Sequence, residues 1–213
     1  CNPSPTVTQS PVAGTVISGT TTITMTSNDG NGNTSSCTAV VTVLDTISPV
    51  AVCQNINAYL DGAGNVTIVA ADIDGGSTDN CGGVTLSAST TSFTCADLGP
   101  NNVTLTVTDA NTNSSNCVAV VTVLDTISPV AVCQNINVYL DGAGNSTIVA
   151  ADIDGGSTDN CGVVTLSAST TAFTCADLGQ NNVTLTANDV YVSTSNGTSV
   201  VTVIDTISPV AVC

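Results

Sequence analysis

The chain has 213 residues, with aspartate as its only acidic residue type, no lysine, arginine or histidine, and a formal charge of −16. Nucleic-acid binding sets cationic side chains against phosphate and is thereby excluded, as is attraction to an anionic membrane surface. No apolar run approaches the ~18 residues of a bilayer span, and no serine or cysteine has a histidine or lysine as its base, so neither a membrane span nor triad catalysis is expected.

The nonapeptide Asp45-Thr46-Ile47-Ser48-Pro49-Val50-Ala51-Val52-Cys53 returns at 125–133 and again at 205–213, a period of 80 residues. A fixed period of this size marks a tandem array with one folding unit per period. Residues 1–46 are then the back part of one repeat, 47–126 and 127–206 are complete repeats, and 207–213 begin another. The start, with Cys1 in mid-repeat and no export signal, reads as a segment of a longer protein. Pro49, Pro129 and Pro209 fix φ and hold the serine before them extended, so the nonapeptide is expected to be a stiff connector.

From that connector, residues 50–60 predict a strand, 61–65 (DGAGN) a turn, and 66–71 a second strand. Residues 72–80 form a polar loop, and strands over 84–89 and 92–95 follow. Asn102 to Asp109 reads NVTLTVTD and Val118 to Leu124 reads VAVVTVL. The alternation of Val and Leu with Thr in NVTLTVTD gives one buried and one wet face. Six or seven short strands per period describe an all-β protein of tandem immunoglobulin-like β-sandwich domains in an extended rod. With 2% aromatic residues the cores must be light, and domains of this size then need covalent help.

The string from Gly19 to Cys53, GTTTITMTSNDGNGNTSSCTAVVTVLDTISPVAVC, resembles the hyalin-type repeat. The complete repeats, with LDGAGN, ADIDGGSTDNCG and FTCADLG, are similar to the variant found in tandem in very large secreted surface proteins of gliding and environmental Bacteroidota, including gliding-motility adhesins. The resemblance covers the whole chain. It implies an immunoglobulin-like fold and an adhesive or spacer role, with no catalytic residues to transfer. It also implies an O-glycosylation motif, Asp-Thr-aliphatic, which would place sugar on Thr46, Thr126 and Thr206.

Ten cysteines with no histidine and no CxxC pair point to disulfides and an extracellular, oxidising location rather than to zinc. In a sandwich the last strand starts at the end where the first strand begins, which places Cys53 beside Cys117. The competing pair Cys37–Cys53 would have to cross the strand 38–44, too far at ~3.3 Å per residue for a Cα separation limited to ~7 Å. Cys81–Cys95 is the second expected pair, with Cys161–Cys175 its equivalent. Gly197 stands where a partner for Cys133 is expected, and Thr15 where one for Cys1 is expected. Cys133 is left as a free thiol or an intermolecular bridge, and Cys37 and Cys213 need partners outside this sequence.

The loop after the second strand and the loop before the last strand share the leading end of a sandwich. Asp72, Asp74, Asp79 and Asp109 are therefore expected to gather around Asp45, and Asp152, Asp154, Asp159 and Asp189 around Asp125, which the Asp61 turn faces. With no basic side chain, clustered aspartates either stay solvated as turn residues or take a hard cation through oxygen, as calcium prefers. No other cofactor is required. Asp72-x-Asp74-Gly75 lacks the third oxygen ligand of a calcium-hand loop. As a glycosidase pair these residues lack aromatic sugar platforms, and Asp45-Thr46-Ile47 lacks the glycine of an aspartic-protease motif.

The sequence thus reads as a non-enzymatic structural segment of a large extracellular cell-surface adhesin or filament, its repeats acting as a rigid spacer. Its partners are neighbouring repeats, other copies in a fibre, and the cell envelope or an external surface. The alternative is a set of accessory spacer or binding modules on a secreted multidomain enzyme. Direct ligand binding by the repeats is disfavoured by the shortage of aromatics and the sameness of their loops.

Overall fold

The computed structural model describes residues 4–190 and 193–211; Cys1 and Cys213 lie outside them. The chain is all-β. Strands β1 (Thr6–Ser10), β2 (Thr20–Asn28) and β3 (Thr34–Thr42) form an antiparallel sheet in that order. The next period supplies β4 (Ile56–Tyr59), β5 (Asn65–Thr67), β6 (Thr85–Ala88), β7 (Ser92–Thr94), β8 (Gly99–Thr108) and β9 (Ser114–Leu124). They make a four-stranded sheet, β4-β9-β8-β6, and a two-stranded one, β5-β7. The following period repeats this arrangement with β10 (Ile136–Tyr139), β11 (Asn145–Thr147), β12 (Thr165–Ala168), β13 (Ala172–Thr174), β14 (Gly179–Asn188) and β15 (Thr194–Ile204).

The long strands form because their Val/Thr and Leu/Thr alternation suits a pleat with one face buried. Val103, Leu105 and Val107 on β8, and Val183, Leu185 and Ala187 on β14, are fully buried, while the threonines between them are not. In the 127–206 repeat, Leu140, Ile148, Ile153 and Phe173 pack with Val183, Leu185, Val201 and Val203. Both sheets contribute, so the core lies between them as in a sandwich. β3 instead carries two adjacent valines, Val40 and Val41, on opposite faces, and both are exposed.

By internal contacts the chain divides into two compact units, 1–51 with 77–85 and 107–115, and 52–76 with 86–106 and 116–213. The first holds the sheet of β1 to β3, and the second holds the whole 127–206 repeat. Among the described residues no helix is long and apolar enough to cross a membrane.

Strand predictions at the front of each repeat need correction. Of residues 50–60 only Ile56–Tyr59 is a strand; before it Val50 and Cys53 make isolated bridges to Thr78 and Asp74. Of 66–71 only the first part extends, because Ala70–Ile73 turns into a single 3-10 turn. There the Asp72 carboxylate accepts from the Val69 N–H at 2.7 Å, a local bond that competes with the sheet ladder.

β4 runs parallel to β9 with Ile56 opposite Val121, a register that brings Cys53 and Cys117 together as a disulfide with Cα atoms 5.8 Å apart. The second disulfide differs from expectation: Cys95 bonds Cys161, and the pairs Cys81–Cys95 and Cys161–Cys175 do not form. The cause is the pairing of β5 with β7, Asn65 opposite Thr94, which seats Cys95 against the Asp61–Asn65 turn, its N–H donating to Gly64 at 3.2 Å. Cys37, Cys81, Cys133 and Cys175 are free thiols. A Cβ added at Gly197 would fall on the Cys133 sulfur, so the glycine does occupy the position from which a partner would reach it.

Candidate metal centres at the connectors

Each connector begins with an aspartate that folds back on its own chain: Asp45 Oδ1 accepts from the Ile47 N–H at 3.0 Å, Asp125 Oδ1 from Ile127 at 3.1 Å, and Asp205 Oδ1 from Ile207 at 2.9 Å. The proline four residues after each aspartate prevents helix continuation, so this Asx turn is the local minimum. Two further aspartates reach each of the first two connectors.

In the first, one carboxylate oxygen each from Asp45, Asp79 and Asp109 lie within 4.8 Å of one another. Asp109 ends β8 and organises the turn into β9. Its Oδ1 accepts from the Asn111 and Asn113 N–H groups, both at 2.8 Å, and its Oδ2 from the Asn113 amide at 2.7 Å. Burial pushes the Asp109 carboxyl up, but the Asn113 side chain and the backbone N–H groups outweigh it and hold the carboxyl below its ordinary value. The Asn113 amide also donates to the Asp45 carbonyl at 3.1 Å, tying turn to connector. Asp79 Oδ2 accepts from the Cys81 N–H at 2.8 Å, while its Oδ1 is buried with no hydrogen-bond donor. A hydrogen bond to Asp45, then burial and the charges of Asp45, Asp79 and Asp109, push the Cys81 thiol up.

The second centre repeats the first with Asp125, Asp159 and Asp189, again with oxygens within 4.8 Å. Asp125 is 7% exposed, and its Oδ2 meets no hydrogen-bond donor. Asp159 Oδ1 and the amide oxygen of Asn160 are likewise buried without a donor. Asp189 Oδ1 accepts from the Ser193 N–H at 2.8 Å. The Asn160 amide donates to both Asp125 Oδ1 and the Asp61 carbonyl, each at 3.2 Å.

These donor sets fit a hard cation. Two oxygens on one calcium ion can be no more than about 5 Å apart, and the sets contain carboxylates with no imidazole or thiolate. The chain has no cationic side chain to neutralise three clustered carboxylates. Buried oxygens without donors are the groups such an ion would satisfy.

Asp72, Asp74, Asp152 and Asp154 are not among the gathered residues. Asp72 and Asp152 cap 3-10 turns, accepting from Val69 and Val149 at 2.7 and 2.8 Å. Asp154 accepts from the Ser157 N–H and hydroxyl at 2.9 and 2.5 Å, and Asp74 bridges Cys53 through its backbone. The glycan candidates Thr46, Thr126 and Thr206 are all exposed. Charge and strand pattern do not single out Asn160; its signal in the sequence is the repeated Thr-Asp-Asn-Cys of 78–81 and 158–161.

Three carboxyls outside the triads, Asp29, Asp141 and Asp154, set an acid limit. The Asn145 and Ala143 N–H groups hold Asp141 below its ordinary 3.8, and the Ser157 hydroxyl does the same for Asp154. A depressed folded-state value means stabilisation that is complete above the unfolded value and lost as pH falls through the folded ones. Melting temperature is therefore expected to fall below about pH 4, less steeply in Asp141→Ala and Asp154→Ala chains. A melting temperature level down to about pH 2, followed by circular dichroism, would contradict this.

No known protein-family profile matches the chain, and no curated protein does. Among solved structures it is similar to protocadherin gammaB7 EC3-6, at 16% identity and TM-score 0.36, over 87% of this chain and 58% of that one. It is also similar to mouse cadherin-23 EC22-24, at 14% identity and TM-score 0.40, over 87% and 74%, and to titin domains I67-I69, at 10% and 0.40, over 87% and 75%. The chain spans a little over half the length of the protocadherin chain.

Proposed function

We propose that this chain is a structural segment of a large extracellular surface adhesin or fibre of the hyalin-like kind seen in Bacteroidota, its repeats acting as a spacer whose connectors are stiffened by calcium. What carries the reading is the turn Asp159-Asn160-Cys161. One short loop gives a carboxylate to the triad around Asp125, an amide to Asp61 and Asp125, and a sulfur to Cys95 of the preceding period. Three separate restraints on one junction between repeats are what a spacer needs and a reaction centre does not.

Residues that bridge one period to the next are better explained by an array than by accessory modules tethered to an enzyme, although the full gene separates these as well. The direct test is antibody labelling of intact cells, imaged by electron microscopy. Label along projections or fibres outside the cell is expected. Label confined to the cytoplasm, or co-purification of the chain with a soluble secreted enzyme of the same gene, would overturn the proposal.

A further inference from the structure

We infer that the face formed by Asp141, Gly144, Cys175 and Asp205 is a docking site for an Asp-Asn-Cys turn presented by another repeat of this kind, and that docking ends in a disulfide at Cys175. The same face one period earlier shows the interaction made. There the Asn160 amide donates to the Asp61 carbonyl and the Asp125 carboxylate, the Asn160 carbonyl lies 3.4 Å from the Cys95 sulfur, and Cys161 bonds Cys95. Gly64 makes room: its φ is +73°, and a Cβ there would come within 2.9 Å of the Asn160 carbonyl and 2.5 Å of the Cys95 sulfur.

Every part recurs at the later face. Residues 141–145 repeat 61–65, 174–179 repeat 94–99, and 205–211 repeat 125–131 without a change. Gly144 has φ +77°, and a Cβ on it would lie 2.6 Å from the Cys175 sulfur. Asp205 keeps the Asx turn that orients Asp125. Cys175 is an exposed thiol, and the face opens as a cavity of about 520 Å³ lined by Asp141, Gly142, Ala143, Gly144, Cys175 and Asp205 among others. The occupant is fixed by this chemistry: an asparagine amide to reach two acceptors, and a cysteine next to it in sequence. The first turn of this type in the chain, Asp79-Asn80-Cys81, shows the complementary case: Thr15 stands one period before Cys95, and Cys81 stays a thiol.

The bond forms by exchange. The Cys175 thiolate attacks a disulfide carried by the incoming cysteine, the new S–S bond forms, and the displaced thiolate leaves with the electron pair and takes up a proton. Starting from two thiols, a small or protein disulfide accepts the two electrons and is released as two thiols. This inference rests on the chain being a stretch of repeats, but not on calcium or on a surface location.

The test uses the whole chain and a peptide of residues 156–163, Gly-Ser-Thr-Asp-Asn-Cys-Gly-Val, its cysteine activated as a mixed disulfide with thiopyridine. Capture at each thiol is followed by peptide mass mapping. At Cys175 the peptide is expected to react about tenfold faster than the same peptide with its asparagine replaced by leucine, the worth of one to two net hydrogen bonds. At exposed Cys37 the two peptides should react alike. Equal rates at Cys175, or the same preference at Cys37, would overturn the inference, and Asp205→Ala should reduce the preference at Cys175 alone, leaving the share due to the Asp141 carbonyl.

Discussion

Gly197→Cys is expected to close a disulfide with Cys133 and to raise the stability of the 127–206 repeat by about 4 kcal/mol in the chain-entropy account of a 64-residue loop. The strand register already provides the geometry. β10 pairs with β15 in parallel, Ile136 opposite Val201, just as β4 pairs with β9, Ile56 opposite Val121. Cys133 lies as far before Ile136 as Cys53 does before Ile56, and residue 197 as far before Val201 as Cys117 before Val121. Gly197 does not have a positive φ, so a side chain there meets no backbone strain, and its Cβ would point at the waiting sulfur. Closing the bond also removes a half-buried thiol whose proton affinity is raised by burial and by Asp154. The checks are a titratable thiol count lower by one and a melting transition higher by on the order of 15 °C, lost again on reduction. A folded variant that keeps the thiol would show that the repeats do not share the register described.

That register was legible in the residues themselves. NVTLTVTD alternates strictly and VAVVTVL is a valine-rich apolar run, and both strands extend beyond these strings, from Gly99 and from Ser114. Once the last strand and the first were set parallel, Cys53 and Cys117 had to meet. The front of the repeat was less legible, because a side chain there bonds locally: Asp72 accepts from the Val69 N–H. That bond turns the end of an apolar segment that otherwise reads as a strand into a 3-10 turn. It also holds Asp72 away from the connector, where three of the five expected aspartates arrive. Cys95–Cys161 was missed for another reason. The short separation of Cys81 from Cys95 favours a local bridge, whereas β7 carries Cys95 to the Asp61 turn, where the partner comes from the next period. Only the facing of that turn toward Asp125 hinted at it, and the Asn160 amide now accounts for it.

Calcium is expected to raise the melting temperature of the chain by on the order of 10 °C, and chelator to reverse the shift. At a hundredfold excess over its dissociation constant, a ligand bound only by the folded state adds about 2.7 kcal/mol per site. For a domain of this size each kcal/mol is worth about 4 °C or more. Asp125→Asn should remove the calcium response of the 127–206 repeat. It keeps the shape of a buried side chain and an oxygen for the Ile127 N–H, but deletes one of the three charges. Without calcium the same variant should melt no lower than the parent, since it relieves repulsion among Asp125, Asp159 and Asp189. Asp152→Asn is the control. Its carboxylate serves a 3-10 turn and lies outside the triad, so the variant should lose some stability yet keep the full calcium response. Opposite signs with and without calcium separate a cation site from a structural aspartate, because a residue needed only for its hydrogen bond would lose stability in both conditions. If neither calcium nor chelator moves the transition, the buried oxygens at the connectors hold no ion, and Cys95–Cys161 and the Asn160 hydrogen bonds remain as restraints on that junction.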